Sequence, residues 1–327
     1  MNIFKKIINL ASGKNKMEDK SLEPICIKES RSPNCPMYAE VVIEEDAGLV
    51  STMIYLYELD SDGQIKRIIN FAWVRNHIKS LTQEEVQTSE KDELLILPTE
   101  FCGHPEGKPK FNPDNLEFVW FEEGDGVALF ENDEIICIVP YWANADMIPS
   151  YSKDCIKHYI TFYPLTEDNE MIPKVRKAQK FWATLKNQED WWEQFQTTGS
   201  EILEKYFDNC RDYYAYAIDR EAWPPKALLR YQFDDITYLI TYGVSIIPQP
   251  QVEIHKDNPE IFRRIELGMV IETEKLIAFE KEYFRFIVKT ANLPWQNITW
   301  LGHGHRLHSS DIIVPYSEDQ PYMVLGS

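Results

Sequence analysis

The sequence predicts an α+β or mixed α/β fold, with an antiparallel-rich sheet flanked by helices and a β-rich N-terminal half. Clusters of β-branched and aromatic residues separated by tight turns indicate the sheet. Segments with apolar residues at helical spacing, mostly in the second half, indicate the helices. At 327 residues, 44% of them apolar, the chain is long enough to bury a sizeable core.

The predicted strands of the first half form two groups. In the first group, the turn sequence at residues 60–63 separates two strand-like runs and predicts a hairpin. In the second group, short polar turns separate the runs and predict an antiparallel meander. The runs are residues 41–43, 51–59 and 65–73 in the first group, and residues 116–121, 127–130 and 135–139 in the second.

The second half alternates between helical and strand-like patterns. Pro173 suits the first position of a helix, because its missing N–H has no partner to lose there. Apolar residues follow it at helical spacing: Val175, Ala178, Trp182 and Leu185. Further along, the patterns predict strands over residues 236–242 and 264–272 and the most regular helix over residues 274–291.

Composition shifts suggest three regions. Residues 1–38 are polar and punctuated by Gly and Pro after the first ten residues, which predicts a leader or linker. Residues 39–150 form the β-rich region and residues 151–327 the α/β region. A single compact unit over residues 39–327 is the alternative.

The net charge of −19 limits the partners of the chain. Residues 81–135 alone hold fifteen Asp and Glu residues against three Lys. A surface this acidic repels phosphate backbones, so we expect no nucleic-acid partner. A solvated acidic face is the simpler interpretation, and an acidic platform for a basic protein is the alternative.

The six cysteines include no C-x-x-C pair, and no signal peptide is recognisable at the N-terminus. This pattern predicts reduced thiols and a cytoplasmic location. The longest apolar runs are far shorter than the ~20 residues of a membrane helix, so we expect no membrane span.

Two constellations in the C-terminal region bear on chemistry. His303, His305 and His308 form an H-x-H-x-x-H cluster with the residue types of a facial metal site, although structural histidines are the default interpretation. Glu253, Glu266 and Asp219 are acids beside apolar segments, which suits a paired-carboxylate site. The alternative for an acid flanked by Arg263 and Arg264 is a salt bridge. The glycine runs lack phosphate-binding patterns, and we expect no cofactor.

The stretch from Trp120 to the C-terminus resembles bacterial members of the suppressor of fused family. The resemblance rests on the joint order of short segments rather than on any one of them. These segments are residues 122–126, 140–142, 216–219, 223–226, 241–245, 248–253, 263–268 and 294–305. The family usually continues its Gly-His with Thr, whereas here Arg306 follows His305.

The resemblance implies a mixed α/β fold and a non-enzymatic protein-binding role, as in an antitoxin or immunity protein that sequesters a toxin-like, basic partner. Capture of a peptide as an added strand would suit a β-rich protein. The alternative is a metal-dependent hydrolase that uses His303, His305 and nearby acids. The candidate binding residues are Tyr242, Glu253, Glu266, Trp300, His303 and His305.

Overall fold

The computed structural model describes residues 24–46, 48–88, 96–142, 149–186, 188–207, 212–219, 226–302, 305–308 and 322–324. The chain divides into two compact units, Met1–Gln179 and Lys180–Ser327. The predicted α+β class with antiparallel-rich sheets and a β-rich N-terminal half is confirmed. The predicted region boundary near residue 150 stays a prediction.

The first sheet of the N-terminal unit is a four-stranded antiparallel meander in chain order. Asp60 organises the predicted hairpin turn, since its carboxylate accepts from the N–H groups of Asp62 and Gln64, both at 2.9 Å. The strands are β1 (Ile25–Arg31), β2 (Met37–Asp46), β3 (Leu49–Leu59) and β4 (Ile65–Asn76).

Strand β1 lies inside the predicted leader, so the structure differs from that prediction over residues 25–38. β1 is an edge strand whose side chains are mostly exposed or half-buried, which explains its polar composition. Pro33 and Pro36, two of the prolines that suggested a linker, lie in the turn between β1 and β2. Residues 1–23 lie outside the described part of the chain.

The second sheet contains the predicted meander, which is confirmed, and two further short strands. All neighbouring pairs are antiparallel except the last, which is parallel. The strands are β5 (Leu116–Trp120), β6 (Gly126–Glu131), β7 (Glu134–Pro140), β8 (Ser150–Ser152) and β9 (Phe162–Pro164).

The turn between β5 and β6 buries its acids, although the sequence favoured a solvated acidic face for this region. Glu123 and Asp125 are each 0% exposed. The Lys174 ammonium lies 2.8 Å from the Glu123 carboxylate and also over the rings of Phe121 and Trp142, at 5.2 and 5.1 Å. A buried ion pair therefore ties this turn to the helix that carries Lys174.

The helices with described residues up to position 207 are α1 (Gln83–Thr88), α2 (Met171–Lys186) and α3 (Gln188–Phe207). Helix α2 begins two residues before the predicted Pro173, and the division between the two units falls inside it. On its predicted apolar face, Val175, Ala178 and Leu185 are buried and Trp182 is half-buried.

The C-terminal unit contains a four-stranded antiparallel sheet in chain order and a separate two-stranded sheet. The four strands are β10 (Asp212–Asp219), β11 (Lys226–Phe233), β12 (Ile236–Tyr242) and β13 (Gly268–Glu272). The small sheet pairs β14 (Arg306–His308) with β15 (Tyr322–Val324). β13 is shorter than the predicted strand because residues 264–267 bond to the turn that follows β12.

In the described residues after β12, the α-helices are α4 (Val252–His255), α5 (Pro259–Phe262), α6 (Thr273–Ala278) and α7 (Glu280–Gln296). The single helix predicted over residues 274–291 is wrong in one respect. Phe279, with φ −133° and ψ 36°, leaves the helical region and separates α6 from α7. Pro294 lies in the last turn of α7, so that helix runs beyond its predicted end.

Among the described residues, no helix combines the length and apolar content that a membrane crossing requires.

Candidate functional site

The Glu266 carboxylate organises the turn that follows β12. Gly243 adopts a left-handed conformation with φ 92°, and a short 3₁₀ helix, Val244–Ile246, continues the chain. One Glu266 oxygen accepts hydrogen bonds from the N–H of Gly243 at 2.9 Å and from the N–H and hydroxyl of Ser245 at 3.0 and 2.7 Å. The other accepts from the Thr241 hydroxyl at 2.7 Å. Two of the segments noted in the sequence are thus joined through one side chain.

These contacts make Glu266 a structural residue. Glu266 as a whole keeps exposed surface, but partial removal of its carboxylate from water raises the pKa of Glu266, while the hydrogen bonds from Ser245, Thr241 and Gly243 oppose that rise. Arg264 strengthens the same turn, since its guanidinium donates to the carbonyls of Ser245 and Ile246. An acid with four donors already directed at it is poorly placed to exchange protons with a substrate.

Replacing Glu266 with alanine is expected to destabilise the protein by about 2–3 kcal/mol, because buried donors on Gly243 and Thr241 lose their acceptor. Ser245→Ala, which removes only one of the four donors, should cost about 1 kcal/mol. Urea unfolding measures both. Equal losses in the two variants would contradict the central place of the carboxylate.

Glu253, the second predicted acid, binds a different partner. It lies in α4, and its carboxylate is 3.6 Å from the buried Arg263 guanidinium, which also pairs with Glu260 at 3.0 Å. The salt-bridge interpretation of this acid therefore describes the structure, and Glu253 and Glu266 each have partners of their own.

Gln249 joins three more segments of the region. Its side chain is fully buried, and its amide donates to the carbonyls of Phe262 at 2.8 Å and Leu301 at 3.0 Å. Its side-chain oxygen accepts from the Leu301 N–H at 2.8 Å. The neighbouring Pro248 carbonyl accepts from the Trp295 indole at 2.9 Å. The proline-glutamine segment is therefore buried and connects other segments of the core, rather than forming a surface motif.

Tyr242 also lies within the framework. Its hydroxyl donates to the backbone carbonyls of Phe195 and Gln196 in α3, at 3.2 and 3.3 Å. A side chain at Gly199 would overlap the Tyr242 ring, so glycine permits the close approach of helix and strand. At the other end of α3, Phe207 stacks on Tyr231 with ring centroids 4.4 Å apart. Helix α3 therefore covers one face of β11 and β12.

Trp300 and His305 do come together, in what we call the aromatic patch: His255, Lys256, Phe262, Trp300 and His305. Ring centroids of Trp300 lie 4.4 Å from His305, 5.9 Å from His255 and 6.3 Å from Phe262. The Lys256 ammonium sits over both Phe262 and Trp300, at 4.7 and 4.9 Å. His255 is exposed and the other members are half-buried, so the patch reaches the surface.

The segments that Glu266 and Gln249 join are among those that carry the sequence resemblance. A comparison with family models supports that resemblance. Residues 223–325 match the model of the family described as suppressor of fused protein (SUFU). We name this matched range the SUFU domain. The predicted resemblance is confirmed over this range, and between Trp120 and residue 222 it stays a prediction. No curated protein and no solved structure matches the chain.

The histidines of the SUFU domain were candidates for a metal site. His303 lies outside the described residues, and only the backbone of His308 is described, in β14. The His305 ring packs against Trp300. Within the described part of the chain, no group of three or more His, Cys, Asp or Glu side chains is arranged to hold a metal ion. No described contact therefore favours the hydrolase alternative.

Sequence reasoning missed the exposed edge of the SUFU domain sheet. β13 is the last strand in the sheet order, and Val270 at its centre is 62% exposed. A side chain at Gly268 would meet no described atom within 4 Å. The sequence predicted a strand here, but no local pattern distinguishes an edge strand from a central one when the pairing is non-local.

The backbone hydrogen bonds show which groups of β13 face outward. The Leu267 carbonyl accepts from the Thr241 N–H at 2.9 Å, and the Thr273 N–H donates to the Asp235 carbonyl at 2.7 Å. In an antiparallel ladder, the backbone groups of successive residues point alternately toward and away from the neighbouring strand. The N–H and C=O groups of the odd-numbered β13 residues therefore point toward β12. The N–H and C=O groups of Gly268, Val270 and Glu272 therefore point away from it.

Proposed function

We propose that this chain is a non-enzymatic protein-binding module that captures an extended segment of a partner protein along β13. The observation that carries the proposal is the outward ladder of Gly268, Val270 and Glu272. An extended peptide paired there would receive main-chain hydrogen bonds from this row of donors and acceptors. The SUFU match supports a protein-interaction family and leaves the partner open.

Side chains beside this ladder supply apolar contact. Val270 and Gly268 lie on the sheet face that helix α3 covers over β11 and β12, because Val270 pairs with Tyr238 and Gly268 with Ile240. Val270 and Gly268 form an exposed strip on β13, beyond the part of the sheet face that α3 covers. A strand seated on the edge would extend the sheet and place alternate side chains against this strip.

Charge favours a basic segment. The chain carries a net charge of −19, and Glu272 and Glu274 are exposed at the end of β13 and the start of α6. Acidic surroundings accelerate association with a basic partner and select against acidic ones. A toxin-neutralising role is the finer form of this proposal, and a cytoplasmic location accompanies it as a prediction.

Val270→Pro tests the edge directly. Proline removes an N–H that points away from β12, so the ladder to β12 is kept while the outward ladder is broken. Val270→Thr is the matched control, because it keeps the N–H and nearly the same shape. Against peptides selected from a displayed random library, we expect Val270→Pro to weaken binding by about tenfold and Val270→Thr to leave it nearly unchanged.

Amide hydrogen exchange on the unmodified protein gives an independent readout. Bound peptide should slow exchange at Gly268, Val270 and Glu272, the outward residues of β13. Protection confined to other segments, or equal binding by the proline variant, would contradict the proposal. The finer role is tested by co-expression with a basic toxin partner, which Val270→Thr but not Val270→Pro should neutralise.

A further inference from the structure

Two buried cysteines of the N-terminal unit face each other across a short antiparallel bridge. Cys102 and Cys155 are bridge partners, and they are 3% and 2% exposed. Both belong to one apolar core cluster, in which they pack with Val42, Met53, Trp73, Leu97 and Phe162. Both thiols are free in this structure.

The hydrogen bonds around the bridge define its geometry. The Gly103 N–H donates to the Asp154 carbonyl at 2.7 Å, and the Ile156 N–H donates to the Phe101 carbonyl at 2.9 Å. Bonds from the flanking residues make Cys102 and Cys155 a non-hydrogen-bonded pair, in which opposed Cα atoms lie about 4.5 Å apart with close side chains. A disulfide needs a Cα separation of about 4.4–6.8 Å. The backbone is therefore already placed for a cross-strand disulfide.

We propose that Cys102 and Cys155 are a latent redox pair that forms an intramolecular disulfide when the protein meets a peroxide. Both sulfurs take part in hydrogen bonds that give them different roles. The Asn76 amide donates to the Cys102 sulfur at 3.8 Å, whereas the Cys155 thiol donates to the Lys157 carbonyl at 3.0 Å. A donor beside the sulfur stabilises a thiolate, which assigns Cys102 as the attacking group and Cys155 as the resolving thiol.

The chemistry balances with hydrogen peroxide as the oxidant. The Cys102 thiolate attacks one peroxide oxygen, the O–O bond breaks, and Cys102 becomes a sulfenic acid while the departing hydroxide is protonated to water. The Cys155 sulfur then attacks the Cys102 sulfur, the S–S bond forms, and the hydroxyl leaves with the thiol proton as a second water. Two thiols and one peroxide give one disulfide and two waters.

Burial sets the conditions of this reaction. Desolvation raises the pKa of Cys102 and raises the pKa of Cys155 to about 11, so both are thiols at neutral pH. Oxidation is therefore slow in the closed state and proceeds through local opening of the segments around Phe101 and Ile156. Once formed, the disulfide adds a covalent link between two segments that backbone hydrogen bonds and core packing already join.

The experiment treats the full-length chain carrying Cys26→Ser and Cys210→Ser with hydrogen peroxide, followed by blocking with N-ethylmaleimide in denaturant. Removing the exposed Cys26 limits intermolecular products. Digestion without reductant should release one pair of peptides joined through Cys102 and Cys155. The mass of this pair should equal the sum of the two peptides minus two hydrogens, and dithiothreitol should separate them. The oxidised protein should also unfold at higher urea than the reduced protein. Recovery of both cysteines as maleimide adducts, or as sulfinic acids without a cross-link, would overturn the proposal.

Single variants test the order of attack. In Cys155→Ser, dimedone should label Cys102 as a trapped sulfenic acid, and in Cys102→Ser the label on Cys155 should be at least several-fold lower. The reverse pattern would overturn the assignment of Cys102 as the attacking thiol. The conservative size of serine keeps both variants close to the native packing, which circular dichroism checks.

Discussion

Replacing Lys174 with methionine is expected to destabilise the protein by about 3–5 kcal/mol. The Lys174 ammonium is 2.8 Å from the carboxylate of Glu123, a residue with no exposed surface. Methionine keeps a stem of similar length but removes the charge, so the buried carboxylate loses the ammonium that lies 2.8 Å from it. Breaking one side of a buried pair costs more than the pair contributes when intact, because desolvation of the remaining charge is left uncompensated.

Lys177 provides the control on the same helix. Its side chain is half exposed and its ammonium lies 3.9 Å from the buried Glu122 carboxylate, a longer contact that water screens from the lysine side, so Lys177→Met should cost less than Lys174→Met. Urea unfolding at neutral pH measures both variants. Adding Glu123→Gln to Lys174→Met should recover part of the loss, and a double variant as unstable as the sum of the two would contradict the ion-pair explanation.

Replacing Gln249 with alanine is expected to cost about 4 kcal/mol. The carbonyls of Phe262 and Leu301 and the N–H of Leu301 lose their hydrogen-bond partner, and a cavity remains where the amide was. Thermal or urea unfolding gives the loss. Gln296→Ala, at an exposed position in the last turn of α7, should change stability by less than about 0.5 kcal/mol. Similar effects at the two positions would contradict the stabilising role of the Gln249 hydrogen bonds.

The elements that the sequence predicts well are those with local causes. The β3–β4 hairpin follows from the turn chemistry of Asp60, and the β5–β7 meander from short polar turns. The break at Phe279 has no such signal, since Phe279 continues the apolar stripe of the predicted helix. Helical propensity alone therefore does not predict this break.

The candidate site was less predictable because it depends on long-range partners. Nothing around Glu266 shows that its donors are Thr241 and Ser245, more than twenty residues earlier, so a structural carboxylate and a catalytic one look alike. Burial of the acidic turn at Glu123 is hidden for the same reason, since its ammonium comes from Lys174. Trp300 and His305 are near neighbours in the chain, and their contact is the kind that short spacing does predict.

The hydrogen bonds of the buried Gln249 amide also constrain how the SUFU domain forms during synthesis. Leu301, one of the hydrogen-bond partners of Gln249, lies 52 residues later, so the two bonds to Leu301 cannot form until that segment has left the ribosome. At about 5–20 residues per second, the delay is about 3–10 s. During this interval the nascent chain contains β11 and β12 but lacks Leu301. The domain therefore completes the hydrogen bonds of this buried amide only when most of its residues have been synthesised.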